Sequence, residues 1–190
     1  MSVPFVGKAK SDTSKTWFGY IFGADSYLKN DEYVPISLKE VTVINKDSIF
    51  IPNQAFIYCA FIEEITLNGS VTSIGNQSFL GCSSLNKILI PDSVTSIGFD
   101  SFSGCNSLKQ IEIPNGIKKI GSSLFNGANN ITTIILPNSI TYIDMYTFDD
   151  CSSLNAIYYR GTKEQWNNIV IKALGNGSLS NVTIIYNYEG

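Results

Sequence analysis

The chain contains no histidine, and Arg160 is the only arginine among its 13 basic residues. Without histidine there is no Ser-His-Asp triad, no Cys-His dyad, no HExxH zinc site and no histidine-containing metal cluster. Charge is scarce too. Charged residues make up 15% of the 190, and the net charge is −3. A duplex-binding protein would show a basic face, so no nucleic-acid partner is expected. No apolar run approaches the ~18–20 residues of a membrane helix, which excludes membrane insertion of this segment by a helix. Met1 to Lys15 lacks the basic start and apolar run of a signal peptide. The expectation is therefore either a cytoplasmic protein or a piece of a longer exported chain.

What is present is a repeat. Ser70–Asp92 reads SVTSIGNQSFLGCSSLNKILIPD and Ser93–Asn115 reads SVTSIGFDSFSGCNSLKQIEIPN. Gly116–Asn138 and Ser139–Gly161 follow with the same period of 23, and Asp47–Gly69 joins them in weaker form. Apolar positions recur as ladders. One is Ile51, Ile74, Ile97, Ile120 and Ile143; another is Phe56, Phe79, Phe102, Phe125 and Phe148. A third, Ile65, Ile88, Ile111, Ile134 and Ile157, alternates with outward residues as a strand would. No coil can close a core alone, whereas stacked coils share one, so the fold class is a repeat solenoid. Each coil is expected to hold the strand Leu108-x-x-Ile111-x-Ile113, ended by Pro114, and a shorter extended piece around Val94–Gly98. Between them lies a turn or single helical turn, with Phe102 plugging the core and Gly104 reversing the chain.

The pattern SVTSIGxxSFxGCxSLxxIxIP resembles the BspA-like leucine-rich repeats of bacterial surface proteins. The resemblance spans Asp47–Gly161 and reaches weakly to the strand element 38–43. The asparagine common after a leucine-rich-repeat strand is replaced by Ser70, Ser93, Gly116 and Ser139. The chain then divides into an N-terminal cap, 1–46, with an incomplete repeat strand; five repeats, 47–161; and a C-terminal cap, 162–190. The aromatics Trp17, Phe18, Tyr20, Phe22, Tyr27 and Tyr33 suit the first cap. In the second, Thr162 and Gln165 form a capping box for a short helix that turns Trp166 and Ile169 to the last coil. Asn181–Tyr186 is a closing strand beside Ile157 and Tyr159.

The four cysteines, at 59, 82, 105 and 151, keep the repeat spacing, with Ala128 on the missing rung. Disulfides or a metal cluster are one reading. However, equivalent residues of stacked coils lie ~4.8 Å apart and point the same way, whereas a disulfide needs Cβ atoms turned together at ~3.8 Å. A ladder of buried thiols fits better. Asp149-Asp150, Glu63-Glu64 and Asp31-Glu32 read as solvated pairs rather than acid and base, since neighbours on a strand face opposite ways. No Gly-rich phosphate motif is present, and chance explains the five N-x-[ST] sites. No cofactor and no metal are expected.

The outward strand positions vary freely while the inward ones stay constant. One row runs Thr66, Leu89, Glu112, Ile135, Tyr158; the row beside it runs Glu64, Lys87, Gln110, Thr133, Ala156. Thr66, Leu89, Glu112, Ile135, Tyr158, Lys87, Gln110 and Thr133 are the candidate binding residues, with Leu89, Ile135 and Tyr158 expected to expose apolar surface. Seven strands give a face about 30 Å long and about 12–15 Å wide. That is roughly 400 Å², half of a standard per-partner interface. The resemblance implies a non-enzymatic adhesion module at the cell surface or outside the cell, binding a protein or glycan on host or neighbouring cells. A rigid spacer in a larger surface protein is the alternative, and glycan binding by Tyr142, Tyr146 and Tyr158 a third.

Overall fold

The computed structural model describes residues 2–4, 30–44 and 49–190. Stacked coils give two rows of parallel strands. The long-strand row holds β1 (Ser2–Pro4), β2 (Glu40–Ile44), β4 (Glu64–Leu67), β6 (Lys87–Leu89), β8 (Gln110–Glu112), β10 (Thr133–Leu136), β12 (Ala156–Tyr159) and β14 (Thr183–Ile185). The short-strand row holds β3 (Ile49–Ile51), β5 (Val71–Ile74), β7 (Ser96–Ile97), β9 (Lys119–Ile120), β11 (Tyr142–Ile143) and β13 (Val170–Ile171). Equivalent residues pair, as in Ile111, Ile134 and Ile157, so inward side chains stack on their own kind. The predicted strand at 38–43 is β2. β1, which pairs with Thr42–Ile44, was not foreseen.

Each ladder proposed from the sequence lies inside. Phe56, Phe79, Phe102, Phe125 and Phe148 are fully buried, their rings stacked 5.3, 5.4, 6.1 and 6.1 Å apart. The third side of the coil, where a turn or helical turn was expected, is a turn without a helix. Alternate amides point along the stack: those of Asp100, Phe102 and Gly104 donate to the carbonyls of Ser122, Leu124 and Asn126 in the next coil. Amides spent that way cannot build a helix. Gly104 reverses the chain as expected, at φ +68. At the equivalent Gly81, a Cβ would sit 2.5 Å from the Tyr58 ring, so that position needs glycine for space as well as for φ. Helices are short: α1 (Asn30–Tyr33) and α2 (Lys163–Asn167).

These amide-to-carbonyl bonds form an unbroken spine from Gln54 to Tyr146. The strand rows are broken, each once. The long-strand sheets are β1-β2-β4-β6 and β8-β10-β12-β14; the short-strand sheets are β3-β5-β7 and β9-β11-β13. The long row thus opens before the coil 93–115 and the short row after it.

Small buried polar groups stitch coil to coil. Ser78, Ser101 and Thr147, all fully buried, each donate from the hydroxyl, which reaches two carbonyls, one in its own coil and one in the coil before. The thiols of Cys82, Cys105 and Cys151 donate to the carbonyls of Phe56, Phe79 and Phe125. The cysteines are buried thiols outside any disulfide, as the ladder reading required. Coil 116–138 has neither kind of stitch, because Leu124 and Ala128 occupy the two rungs.

Segment 162–190 contains the expected elements. Thr162 and Gln165 form the capping box of α2, Trp166 meets Tyr159 edge-on at 5.3 Å, and Ile169 is buried. β14 pairs with β12. The segment also carries β13 and a turn, and so adds another circuit to the stack. Here Asn176, nearly buried, reproduces a rung with its side chain. Its amide donates to the carbonyls of Asp144 and Lys172, as Thr147 does one coil earlier, and its Oδ1 accepts from the amide of Phe148. Ser178 likewise donates to Phe148, standing where a cysteine would be. Asn176→Ala leaves the buried Phe148 amide unpaired and should cost about 2 kcal/mol. Urea unfolding against an exposed control, Ser180→Ala, measures this; equal stabilities would refute the rung assignment. The aromatic residues Trp17, Phe18, Tyr20, Phe22 and Tyr27, assigned to an N-terminal cap, lie outside the described residues. Tyr33 is exposed.

Candidate functional site

The long strands bring all eight candidate residues onto one outward face, in register within each of the two long-strand sheets. Thr66 pairs with Leu89, Gln110 with Thr133, Glu112 with Ile135, and Ile135 with Tyr158. Their surroundings divide the face into two parts.

The N-terminal part is open. Leu89 is 50% exposed, and Lys87, Gln110 and Glu112 are exposed as well. Thr66 and Thr133 are half-buried. Charges here meet opposite charges: Lys39 with Glu63 at 3.1 Å, Lys87 with Glu64 at 2.6 Å. These pairs are solvent-exposed and contribute little stability. They make the surface polar around one apolar side chain.

The C-terminal part is covered, which corrects the expectation for Ile135. It was expected to be exposed and is 5% exposed. Arg160, from the end of β12, reaches back two coils, bonding Glu112 at 2.6 Å and Asn115 at 3.4 Å. The guanidinium therefore crosses the coil that carries Ile135. Tyr158 is half-buried as well, because the tail folds back on it. Asn187, at φ 55, turns the chain, and its amide donates to Gly161. The amide of Tyr188 then donates to Tyr159, and its ring sits 4.8 Å from that of Tyr158. Sequence reasoning missed Arg160, Asn187 and Tyr188. Only the isolation of the single arginine pointed to the first of them.

The titratable and metal-ligating groups of the coils can be placed one by one. Among the described residues no group of three or more cysteines and carboxylates is placed to hold a metal. The acidic pairs behave as surface groups: Glu63 and Glu64 bond different lysines, and Asp149 and Asp150 lie on a turn. Burial pushes the thiols of Cys82 and Cys151 up to about 12 and that of Cys105 well above its ordinary range, so none is a nucleophile at neutral pH.

The family model for the BspA type leucine rich repeat region matches six copies, over residues 33–94 and 79–189. The chain belongs to the BspA-type leucine-rich repeat family. The match runs through β13 and β14, in keeping with the extra circuit described above. Among solved structures, a leucine rich cell surface protein of Faecalibacterium prausnitzii is 34% identical with a TM-score of 0.68; the alignment covers 72% of this chain and 36% of that one. A leucine-rich repeat protein of T. pallidum is 24% identical over 82% of this chain and 72% of that one, with a TM-score of 0.65. The pneumococcal vaccine antigen PcpA is 18% identical, with a TM-score of 0.60, over 78% of this chain and 41% of that one. The last two likenesses concern the fold alone. None of the curated proteins matches the chain. BspA-type repeats thus account for the inward ladders, while the outward residues differ from coil to coil within this one chain.

Proposed function

We propose that this chain is a non-enzymatic interaction module of a bacterial cell-surface or secreted protein, engaging a protein or glycan on host or neighbouring cells. In this reading 1–46 and 162–190 shield the ends of the stack, and the open part of the long-strand face makes the contact. The observation that supports it most is Leu89. An apolar side chain stands half exposed in a row whose members change chemistry from coil to coil, above an interior that does not change. Folding does not ask for leucine there, and exposed apolar surface ringed by polar groups is what an interface core looks like before it is covered. The reported surface location of the F. prausnitzii relative supports the placement outside the cell.

The test is a binding screen of the chain against matrix proteins, mucins and glycans, with Lys87→Ser, Leu89→Ser and Gln110→Ser combined beside it. These side chains are exposed, so thermal stability should hold while affinity falls about tenfold or more. Ile135 and Tyr158, candidates on the same face, are unsuited to substitution because the first is buried and the second half-buried. Binding that survives the triple variant would move the contact elsewhere. Silence across the screen would favour a rigid spacer carrying activity in other parts of the parent protein.

A further inference from the structure

A second surface lies on another side of the coil, just after the short strands. One position there runs Asn53, Asn76, Phe99, Ser122, Met145 down the repeat, and Leu174 continues it, because the amide of Tyr146 donates to Leu174 as that of Ser123 does to Met145. At the N-terminal end this position serves the fold. Asn53 accepts from the amide of Asn76, and Asn76 from that of Phe99. Further on it becomes apolar without becoming buried: Phe99 is 46% exposed, Met145 40% and Leu174 55%. Tyr146 and Val170 are exposed beside them. Five of the nine large hydrophobic side chains exposed among the described residues therefore gather on this edge. Scattered exposed apolar residues are ordinary, whereas a clustered set marks a contact surface.

Charge says what kind of contact. Lys119 and Lys172 hold their ammonium groups 5.8 and 5.9 Å from the centre of the Tyr142 ring. Lys118 is exposed next to them. Among the described residues none of the three is within ion-pair distance of a carboxylate, although on the strand face Lys39, Lys87 and Arg160 are all paired. In a chain of net charge −3, this is a local excess of unmatched positive charge. Two carboxylates at the patch, fewer than the three lysines, are held by neutral donors. Asp144 accepts from the Met145 amide at 2.8 Å and the Tyr142 hydroxyl at 3.4 Å, and Asp100 accepts from Gln77.

We propose that this edge is a docking surface, separate from the strand face, for an acidic polypeptide segment bearing aromatic or aliphatic side chains. Its carboxylates would meet Lys118, Lys119 and Lys172, and its apolar groups would cover Phe99, Met145 and Leu174. A flat sugar stack is disfavoured, because ammonium groups already attend the Tyr142 ring. A bilayer would have to desolvate Asp100 and Asp144, which a polypeptide can leave at the rim.

The experiment measures binding of the whole chain to three probes: a random glutamate–tyrosine copolymer, polyglutamate, and phosphatidylserine-containing vesicles. The copolymer should bind about tenfold more tightly than polyglutamate, and its affinity should fall as salt rises. Phe99→Ser, Met145→Ser and Leu174→Ser together, or Lys119→Gln with Lys172→Gln, should each weaken it about tenfold, with Met145→Ser alone giving a smaller loss in an undisturbed fold. The strand-face triple variant should bind like the parent, which keeps a failure here distinct from a failure of the reading above. Equal affinity for both polymers, indifference to both sets of substitutions, or binding to vesicles alone would overturn the assignment.

Discussion

Phe102→Ala should lower unfolding free energy by about 3–5 kcal/mol, the cost of emptying a fully buried aromatic site. The ring lies between Phe79 at 5.4 Å and Phe125 at 6.1 Å, nearly parallel to both. Its removal opens a cavity inside the stack and takes away two stacked contacts, each worth about 0.5–1.5 kcal/mol. A domain of this size is stable by only about 5–15 kcal/mol, so the loss is a large share of the whole. Phe148, stacked on Phe125 alone among these rings, should cost less when replaced. Urea titrations of both variants compare them. A Phe102→Ala cost below about 1 kcal/mol would show that the ring ladder is not what holds the coils together.

Alkaline unfolding should be steep and should depend on the thiols. Burial pushes Cys82 and Cys151 from 9.0 up to about 12, and Cys105 well above 9.0. The folded state keeps these protons after the unfolded chain has lost them. Stability is therefore fully present below pH 9.0 and falls as pH rises from there towards 12. Each thiol removes up to about 1.4 kcal/mol per pH unit in that window, so three together approach about 4. Ala128 already fills the same rung, which makes alanine a fitting replacement. The Cys82→Ala, Cys105→Ala and Cys151→Ala combination should keep its fold at neutral pH and lose most of the alkaline slope. An unchanged slope would mean that the thiols do not hold their protons as described. Thiol reagents at neutral pH should likewise label the unfolded chain and spare the native one.

What was legible in the sequence is what repeats. A position that must be apolar in every coil writes itself five times, so the ladders, the strand register and the buried thiols could all be read from spacing, and the closing strand from its own apolar run. The capping box of α2 was legible for a different reason, since its two partners are three residues apart. What happens once does not average into a pattern. Arg160 reaching Glu112 across 48 residues left no periodic trace, and neither did Tyr188 returning to Tyr158. Both contacts lie on the C-terminal part of the face, where Ile135 is buried, and neither reaches Leu89. The apolar edge at Phe99, Met145 and Leu174 was hidden in another way. Its first members are asparagines with a structural duty, and the third apolar member belongs to a circuit lengthened by α2.

The two breaks in the strand rows have a mechanical meaning. If both fell between the same pair of coils, the rod would have a hinge there, held by the spine alone. They are offset by one coil instead, as in a half-lap joint between two beams, so no single plane passes through both seams without shearing a bonded ladder. The coil 93–115 belongs to one half through its short strand and to the other through its long strand. Flexing before it opens the long-strand side, and flexing after it opens the short-strand side, about a spine that stays intact. Such a stack can give slightly in either direction without offering one plane along which it would part.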